Sequence, residues 1–595
     1  MTETTSQNFR PDLPPTGGRV MPRRALISLS DKSGLENLAS CLKKHGIEVI
    51  STGGTADALR GMGLSVRDVA EVTGFPECLD GRVKTLHPKI HGGILAKRDD
   101  PTHVETQEKL GLESIDLVII SLYPFAQKCA EYEKILAQTT RDGVAVNSDA
   151  AAQSLENVIE AIDIGGPSLI RGAAKNHKFV TVITEPAFYP NLIAALDQGG
   201  TSLSERQAFA AAAFSHTASY DAKIAAFCHR EWGSPPALTH KRDQTGQNLP
   251  DLALPQDFTL SGNLVEKLAY GENPHQIGGF YRLGGGDQSE EQFGLASAQQ
   301  LQGKSLSYNN LNDADLAWAL AVDLQTEFAD DAGWSHAAVI VKHATPCGVA
   351  IAANMENAFT RAYDSDPLSA YGGVVALNGR IDLATAHKIA AHFFEVVMAP
   401  AIDPDAAALL TRRQNMRVLI TGGLPKHILN NSAPQSAAIN WEIRSIQGGF
   451  LLQSRDEGRV SIDRCRLVTE RAPSEAEKID LRLAWRVVKF TRSNAIALAK
   501  NGQIIGLGGG QTSRVDAVKQ ALEMAGQRGA GQRSVGAVVA SDAFFPFKDG
   551  LELCLSAGIK AVIQPGGSKN DAEVIDSAGR HNAAMIFTNM RHFRH

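Results

Sequence analysis

The sequence predicts an α/β protein with more than one folded unit. Three observations support this. The chain is 595 residues long, about four times the usual span of a domain. Two separate series of short β-rich apolar runs alternate with helical ones. Between them lies GSPPALTHKRDQTGQNLPDLALPQ (233–256), rich in Pro, Gly and polar residues and without periodicity, which reads as a linker. The expected division is a disordered leader over 1–23, a first domain over 24–232, a linker over 233–257 and a second region over 258–595, long enough for two α/β sub-domains.

The first series runs from strand ALISLS through helix SGLENLASCLKKHG to strand IEVIST, then to strands in DLVIISLYPF and VTVIT. This rhythm predicts a parallel sheet. In the first helix Ser33 and Glu36 have capping-box spacing, Leu35, Leu38, Ala39 and Leu42 share a face, and Gly46 stops it. An alanine-rich helix over 204–232 closes the domain. The second series places strands in HAAVIVKHA, GGVVALN, AIALAKNGQIIGLGGG, VGAVVASDAFFPF, IKAVIQPGG and AAMIFTN. Their similar strand-then-polar-turn endings are weakly consistent with an internal duplication.

With 43% hydrophobic and 21% charged residues, collagen-like, disulfide-scaffold and wholly disordered classes are excluded. A net charge of -6 argues against a nucleic-acid partner, so functional positive charge must be local. Seven cysteines without a C-x-x-C pair predict reduced thiols and no structural metal. No signal-peptide core follows the leader, and no window holds the ~18 apolar residues of a membrane span. A cytoplasmic protein with no membrane partner is expected.

Chemistry-bearing residues gather after the strands, where open α/β sheets bind ligands. Ser28, Ser30, Asp31 and Lys32 end the first strand, and Ser51, Thr52, Gly53, Gly54 and Thr55 end the second, each ahead of a helix. Taken singly, each fits an ordinary capped turn; together they fit a phosphate cradle. GRVKTLHPKIHGG (81–93) adds Arg82, Lys84, His87, Lys89 and His91 outside any helical pattern. In AIDIGGPSLIRGAAKNH (161–177), Asp163 precedes a Gly-Gly-Pro turn, and Arg171 and Lys175 follow one helical turn apart, an arrangement suited to a ligand with separated charges. In the second region Lys342 and His343 follow the strand AAVIV and precede Pro346 and Gly348, which puts them in a loop at its carboxyl end.

In this order SLSDKSG, STGGTADALR, GRVKTLHP, LYPF and DIGGPSLIRGAAKNH resemble the inosine monophosphate (IMP) cyclohydrolase domain of a bifunctional purine-biosynthesis family. LAYGENPHQ, LSYNNLNDADLAW, VKHATPCG, SDPLSAYGGVVAL, FTRSNAIALAKNGQIIGLGGGQTSR, SDAFFPFKDG, IQPGGS and RHFRH are similar to that family's phosphoribosylaminoimidazolecarboxamide (AICAR) formyltransferase motifs, again in order. The resemblance implies a methylglyoxal-synthase-like parallel-sheet domain followed by two cytidine-deaminase-like α/β sub-domains. It implies formyl transfer from the co-substrate 10-formyltetrahydrofolate to AICAR, then closure of formyl-AICAR to IMP with loss of water, in a homodimer without metal. It also implies residue roles. His343 is the proton acceptor, Lys342 supplies charge or a proton, and Asn494 orients the substrate. Tyr270, Gly271, Asn310, Gly372, Glu395 and Arg591 surround AICAR, and Arg514, Phe544, Pro546, Phe547, Asp549 and Ser568 the folate. For ring closure, Lys84, Tyr123, Asp163 and Lys175 surround the reacting groups. Ser28, Ser30, Lys32, Ser51, Thr52, Gly53, Gly54, Thr55, Arg82, Thr85, Gly165 and Arg171 hold the nucleotide. The FFPF run fits core packing about as well as a folate platform.

Some positions depart from the family pattern: Ala269 stands where an arginine is usual, Ser121 where Asn is, Thr345 where many bacterial members have Asn, and Gly172 where Ala is. Three rivals compete. GLGGGQ (506–511) lacks the third glycine and the acid of a dinucleotide fingerprint. Pro346-Cys347 lacks the second cysteine of a zinc deaminase. A nucleotide-sensing protein with a degenerate transferase site is the non-enzymatic alternative, and it leaves Lys342 and His343 without a role.

Overall fold

The computed structural model describes residues 18–141, 148–232, 254, 257–283, 294–423, 441–527 and 533–595. Apart from 254 and 257, the expected linker lies outside them, as does the leader up to 17. The described residues form two compact units, one containing 18–232 with 254, 257–262 and 283, the other containing the rest.

The first unit is built on a five-stranded sheet of β1 (Arg24–Leu29), β2 (Glu48–Ser51), β3 (Val66–Asp68), β4 (Leu117–Ser121) and β5 (Thr181–Ile183), in the order β3-β2-β1-β4-β5. All pairs are parallel, so the carboxyl ends share one edge. Leu26, Ile27, Val49, Ile50, Val118 and Ile119 are buried in its core, matching the near-continuous apolar runs that mark strands covered on both faces. The alanine-rich segment is one long helix, Leu203–Trp232.

Two expectations need correction here. The first helix, Leu35–Lys44, buries Leu35, Leu38, Ala39 and Leu42 as its periodicity predicts, but the Ser33–Glu36 capping box is not made. Gly34 is its N-cap at φ 70, and the Ser33 N–H donates to the Asp31 carboxylate instead (2.8 Å). The chain turns left-handed at Gly34, a conformation glycine adopts freely, one residue later than a serine cap requires. The leader is also shorter than expected. Val20 exchanges two backbone hydrogen bonds with Thr201 (2.8 and 3.0 Å), Arg19 donates to the Gly200 carbonyl (2.6 Å), and the Arg23 N–H donates to Asp116 (2.7 Å).

The second unit holds a twelve-stranded mixed sheet. Its strands are β8 (Gln299–Gln302), β9 (His336–Lys342), β10 (Thr345–Ala352), β11 (Val374–Leu377), β12 (Val396–Ala399), β13 (Arg417–Ile420), β16 (Arg466–Leu467), β17 (Ile496–Lys500), β18 (Gln503–Gly508), β19 (Val538–Ser541), β20 (Ala561–Gln564) and β21 (Ala584–Phe587). The order is β16-β21-β20-β19-β17-β18-β10-β9-β11-β12-β13-β8. Two ribbons stand apart, β6 (Gly262–Leu268) with β7 (Gly278–Leu283) and β14 (Trp441–Ile446) with β15 (Gly449–Ser454).

The sheet is a topology used twice. A hairpin, β9–β10, is flanked by an antiparallel β11 and then by parallel β12 and β13. The hairpin β17–β18 is flanked in the same way by β19, β20 and β21. The halves join antiparallel through β10 and β18, with Ala350 opposite Gln503. Among the described residues no helix is long and apolar enough to cross a membrane.

The end of β18 lies directly under the helix Arg514–Gln527: a Cβ on Gly508 would fall 1.9 Å from the Ala517 carbonyl oxygen. Gly508→Ala is therefore expected to cost about 2 kcal/mol of stability, read as a lowered denaturant midpoint at unchanged slope.

Candidate functional site

In the first unit, the carboxyl edge of the sheet collects the expected set. A Cβ on Gly53 would lie 3.3 Å from Lys84 Nζ, one on Gly54 3.8 Å from Lys32 Nζ, and one on Gly165 3.0 Å from Thr85 Oγ1. The two glycine turns and the GRVKT segment thus face one another. Side chains here serve the scaffold as well. Ser51 Oγ donates to the Ile27 carbonyl (2.7 Å), and Thr55 Oγ1 accepts from the Leu29 N–H (3.0 Å). Ser30 Oγ donates to the Leu122 carbonyl (2.5 Å). Ser121 Oγ accepts the N–H groups of Ser30 (2.8 Å) and Asp31 (3.0 Å), so this departure from the family pattern pins the first turn to β4. Ser28 is half-buried on β1, and Thr52 is buried.

Asp163 is gripped by backbone. Its carboxylate accepts the Gly166 N–H (2.8 Å) at the start of the helix Gly165–Lys175, and also the Tyr123 N–H. Its own N–H donates to Tyr220 Oη (2.9 Å), which donates to the Ala161 carbonyl (2.8 Å). Burial pushes the Asp163 carboxyl above its usual range, against the two backbone donors that stabilise the anion. Tyr123, Arg171 and Lys175 are exposed, with the Arg171 guanidinium 5.6 Å from the Phe214 ring centre. Sequence reasoning missed the acids that face the cations: Lys84 pairs with Glu77 (2.8 Å), and Arg82 pairs with Glu160.

In the second unit, strand directions put every transferase candidate that adjoins a strand of the large sheet at one edge. There β9 ends in Lys342; Gly372, Glu395 and Asn494 lie just before the starts of β11, β12 and β17. The same edge carries Phe544, Pro546, Phe547 and Asp549 after β19, Ser568 after β20 and Arg591 after β21. Three strand spacings of about 4.8 Å separate β9 from β17, so about 14 Å lies between the His343 and Asn494 ends.

At one end His343 and Ala344 form the two-residue turn of the β9–β10 hairpin, with φ of 52 and 53. Two positive φ values are what a tight hairpin demands, yet neither residue is glycine. The Asp313 carboxylate, missed from sequence, accepts both N–H groups, from His343 at 3.1 Å and from Ala344 at 2.6 Å. Lys342 Nζ donates to the Tyr371 carbonyl (2.7 Å), and the Gly372 N–H, at φ 71, donates to the Phe393 carbonyl (2.9 Å). Asn310 completes a capping box with Ser307 and donates to Glu395 (2.6 Å). Beside it Asn309 donates to the Glu272 carbonyl (3.3 Å) in the loop carrying Ala269, Tyr270 and Gly271. Lys304, Phe393, Glu395, Asn415 and Arg417 line a cavity of ≈ 260 Å³.

At the other end Asn494 is fixed at both ends of its amide. Arg514 donates to its Oδ1 (2.8 Å), and its Nδ2 donates to the Gln511 carbonyl (2.9 Å). Arg514 is not turned outward: it is buried and also donates to Ser541 Oγ (2.7 Å) and to Asp542 (2.6 Å). Its guanidinium therefore supports Asn494 and is not free for a folate carboxylate. FFPF divides between the two readings. Phe545 is buried, whereas Phe544 and Phe547 are 40% and 60% exposed. Pro546 is exposed, with its carbonyl accepting from Asn570 (2.7 Å). Asp549, in the first turn of the helix Lys548–Ser556, accepts from the Gly550 N–H (2.7 Å), and Ser568 accepts from the Asn570 N–H (3.2 Å).

Among the described residues one trio, Cys41, His45 and Asp197, has metal-ligand atoms within 4.8 Å of one another. Its Asp197 oxygen already holds Lys44 (2.7 Å) and His45 (2.8 Å).

Two polar sheet edges, each on its own α/β unit, define a protein with two candidate sites. A family model described as AICARFT/IMPCHase bienzyme matches residues 173–524, and one described as MGS-like domain matches 34–168. The bifunctional purine biosynthesis protein PurH of Roseobacter denitrificans is 46% identical over 580 residues, covering 96% of this chain and 99% of its own. That of Agrobacterium fabrum is 44% identical over 588 residues, 98% of each. Among solved structures, the crystal structure of ForH is 32% identical, covering 34% of this chain and 94% of its own at a TM-score of 0.27. The chain belongs to the AICARFT/IMPCHase bienzyme family, with an MGS-like N-terminal domain.

The Asp313 contacts generate a prediction that needs no substrate. In Asp313→Ala, amide hydrogen exchange at His343 and Ala344 is expected to rise about tenfold or more, while that of the β17–β18 turn stays unchanged.

Proposed function

We propose that this chain catalyses the last two steps of IMP formation: formyl transfer from 10-formyltetrahydrofolate to AICAR in the second unit, then dehydrative closure of formyl-AICAR in the first. The observation that carries this is the gathering of Lys342, His343, Gly372, Glu395, Asn494 and Arg591 at one sheet edge in a chain related over nearly its whole length to PurH proteins. A sensor has no use for a base held in a strained turn.

In the transfer, the AICAR amine attacks the formyl carbon. His343 takes the amine proton, and Lys342 steadies the oxyanion and gives a proton to the folate nitrogen as its bond to the formyl carbon breaks, releasing tetrahydrofolate. Asn494 keeps one acceptor and one donor position beyond Arg514 and Gln511, enough to orient the carboxamide. Exposed Phe544 and Phe547 offer apolar faces to the folate rings. Lys304 and Arg417, which line the cavity beside Glu395, offer positive charge in place of the cation absent at Ala269.

In ring closure the carboxamide nitrogen attacks the new formyl carbon and water leaves, so positioning supplies much of the rate. Asp163 orients the amide, and Lys84 with backbone N–H groups of the Gly53–Thr55 turn favours the developing oxyanion. A cytoplasmic homodimer accords with this reading. Ile446, Phe450 and Leu451 of the β14–β15 ribbon and Leu264 and Tyr281 of β6–β7 are each about half exposed, apolar surface suited to a second copy. Residues up to 232 form the ring-closing domain in this scheme.

Incubation with AICAR and 10-formyltetrahydrofolate is expected to release tetrahydrofolate and form IMP; well-folded protein that does neither would refute the proposal. His343→Ala is expected to reduce formyl transfer by about a hundredfold or more while closure of added formyl-AICAR persists, and equal loss of both would remove His343 from the transfer site. A fragment ending at 232 should retain ring closure alone. The ring-closure rate should fall with decreasing pH through a value above the ordinary carboxylate range, because burial raises the Asp163 carboxyl and the anion is the working form. In Asp163→Asn that acid limb should vanish along with most of the rate.

A further inference from the structure

The C-terminal tail carries one buried polar side chain that the chemistry above does not use. His592 is 1% exposed, with Arg591 and Phe593 exposed on either side of it. Its imidazole lies against Trp485, with ring centres 5.1 Å apart, and its Nδ1 is 2.6 Å from Asp456 Oδ2. That contact requires the proton on Nδ1. Nε2 is buried without a partner among the described residues, so Asp456 is the imidazole's polar anchor. The loop bearing Asp456 fits closely over the tail: a Cβ on Gly458 would fall 2.7 Å from Met590 Sδ and 3.4 Å from His592 Cε1.

From this anchor the tail reaches the transferase edge in two directions. The His592 N–H donates to the Asp542 carbonyl (3.0 Å). The Arg594 carbonyl accepts the Ser493 N–H (2.9 Å), and the Arg594 N–H donates to Ser493 Oγ (3.2 Å), which donates to the Asp542 carboxylate (2.5 Å). Ser493 immediately precedes Asn494. On the outer side the Arg591 guanidinium packs over the Phe593 ring at 4.6 Å. His592 is buried between exposed Arg591 and Phe593, so its anchorage fixes the backbone from which Arg591 projects outward.

Resting on the formyltransferase reading above, we propose that His592 and Asp456 form a latch that positions the tail, and through it Arg591 and the Asn494 loop, to receive the AICAR phosphate. His592 is a positioning residue: it touches neither substrate nor the reacting atoms. Without the latch the tail samples other orientations, and the phosphate must pay to order it.

The test uses the full chain and measures both activities on the same preparation. The wild-type transfer assay first establishes the formyltransferase reading; only its failure would remove that reading, independently of the latch. In His592→Ala the KM for AICAR is expected to rise about tenfold or more, with kcat within about threefold, and ring closure of formyl-AICAR unchanged. His592→Asn keeps an N–H near the Nδ1 position and should recover most of that KM. Asp456→Ala should raise KM comparably, and the double variant should be no worse than either single one, as expected for partners in one contact. If His592→Ala proves unstable, the Asp456 variant alone carries the KM measurement. An unchanged KM for AICAR, a parallel loss of both activities, additive effects in the double variant, or no difference between Asn and Ala at 592 would each overturn the latch.

Discussion

The transferase edge depends on the buried ion pair of Arg514 and Asp542. Asp542 is fully buried and Arg514 8% exposed. Two charges held this way are tolerated only when every remaining donor and acceptor finds a partner. Here the guanidinium reaches Ser541 and Asn494 as well as Asp542, and the second Asp542 oxygen accepts from Ser493. Asp542 thus joins the end of β19 to the segment entering β17 through its carboxylate and to the tail after β21 through its backbone carbonyl, three stretches far apart in sequence. Removing either charge strands the other, a loss of about 3–5 kcal/mol for a buried pair. The outward face of Asn494 is set by the same inward contacts.

The repeated topology contains its own control for the His343–Ala344 turn. In the second half, the β17–β18 hairpin turns through Asn501 and Gly502 at φ 53 and 73, and the Asp480 carboxylate accepts both N–H groups (2.8 and 2.7 Å). Asp313 does the same for His343 and Ala344 in the first half. Asn-Gly is the dipeptide this turn prefers; His-Ala is not. A left-handed conformation costs a residue with a Cβ about 1–2 kcal/mol. On the formyltransferase proposal, the first half accepts that cost where it presents His343 as the base, and the second half, with Asn501 and Gly502 at its turn, follows the local rule. Violations of local preference are expected where function displaces stability.

What was legible in the sequence follows from which forces are local. Strands such as β1, β4, β9 and β19 showed as apolar runs because both faces are covered. The three-residue β3 and the exposed β14–β15 ribbon carry no such pattern; their register comes from pairing, which sequence spacing does not reveal. The Ser33 cap failed because the Asx turn at Asp31 competes for the same N–H. The candidate site residues stood out because they sit in contiguous motifs. Their partners Asp313, Glu160 and Tyr220 did not, since each arrives from a distant part of the chain, and Glu77, though close to Lys84 in sequence, belongs to no motif. For Arg514, motif position alone could not separate a ligand contact from a support, and burial decides for support.

The way the two halves join determines that the transferase candidates share one edge rather than two. Each half has a hairpin-turn end and an end where its hairpin begins. Antiparallel union of β10 with β18 brings the turn end of the first half beside the starting end of the second, so His343 and Asn494 share an edge. A parallel union would have placed them on opposite edges, some strand length apart. The opposite edge of the sheet receives the complementary pieces: the Asn501–Gly502 turn, and Asn378 after β11, which accepts the Ala337 N–H (2.7 Å) and donates to the Ser335 carbonyl (2.9 Å). Asn378 occupies in the first half the place Asp542 holds in the second, but as a neutral amide it recruits no arginine. In the second half a carboxylate at that position pairs with Arg514, which holds the Asn494 amide; in the first half a neutral amide there pairs with backbone and with Gln325.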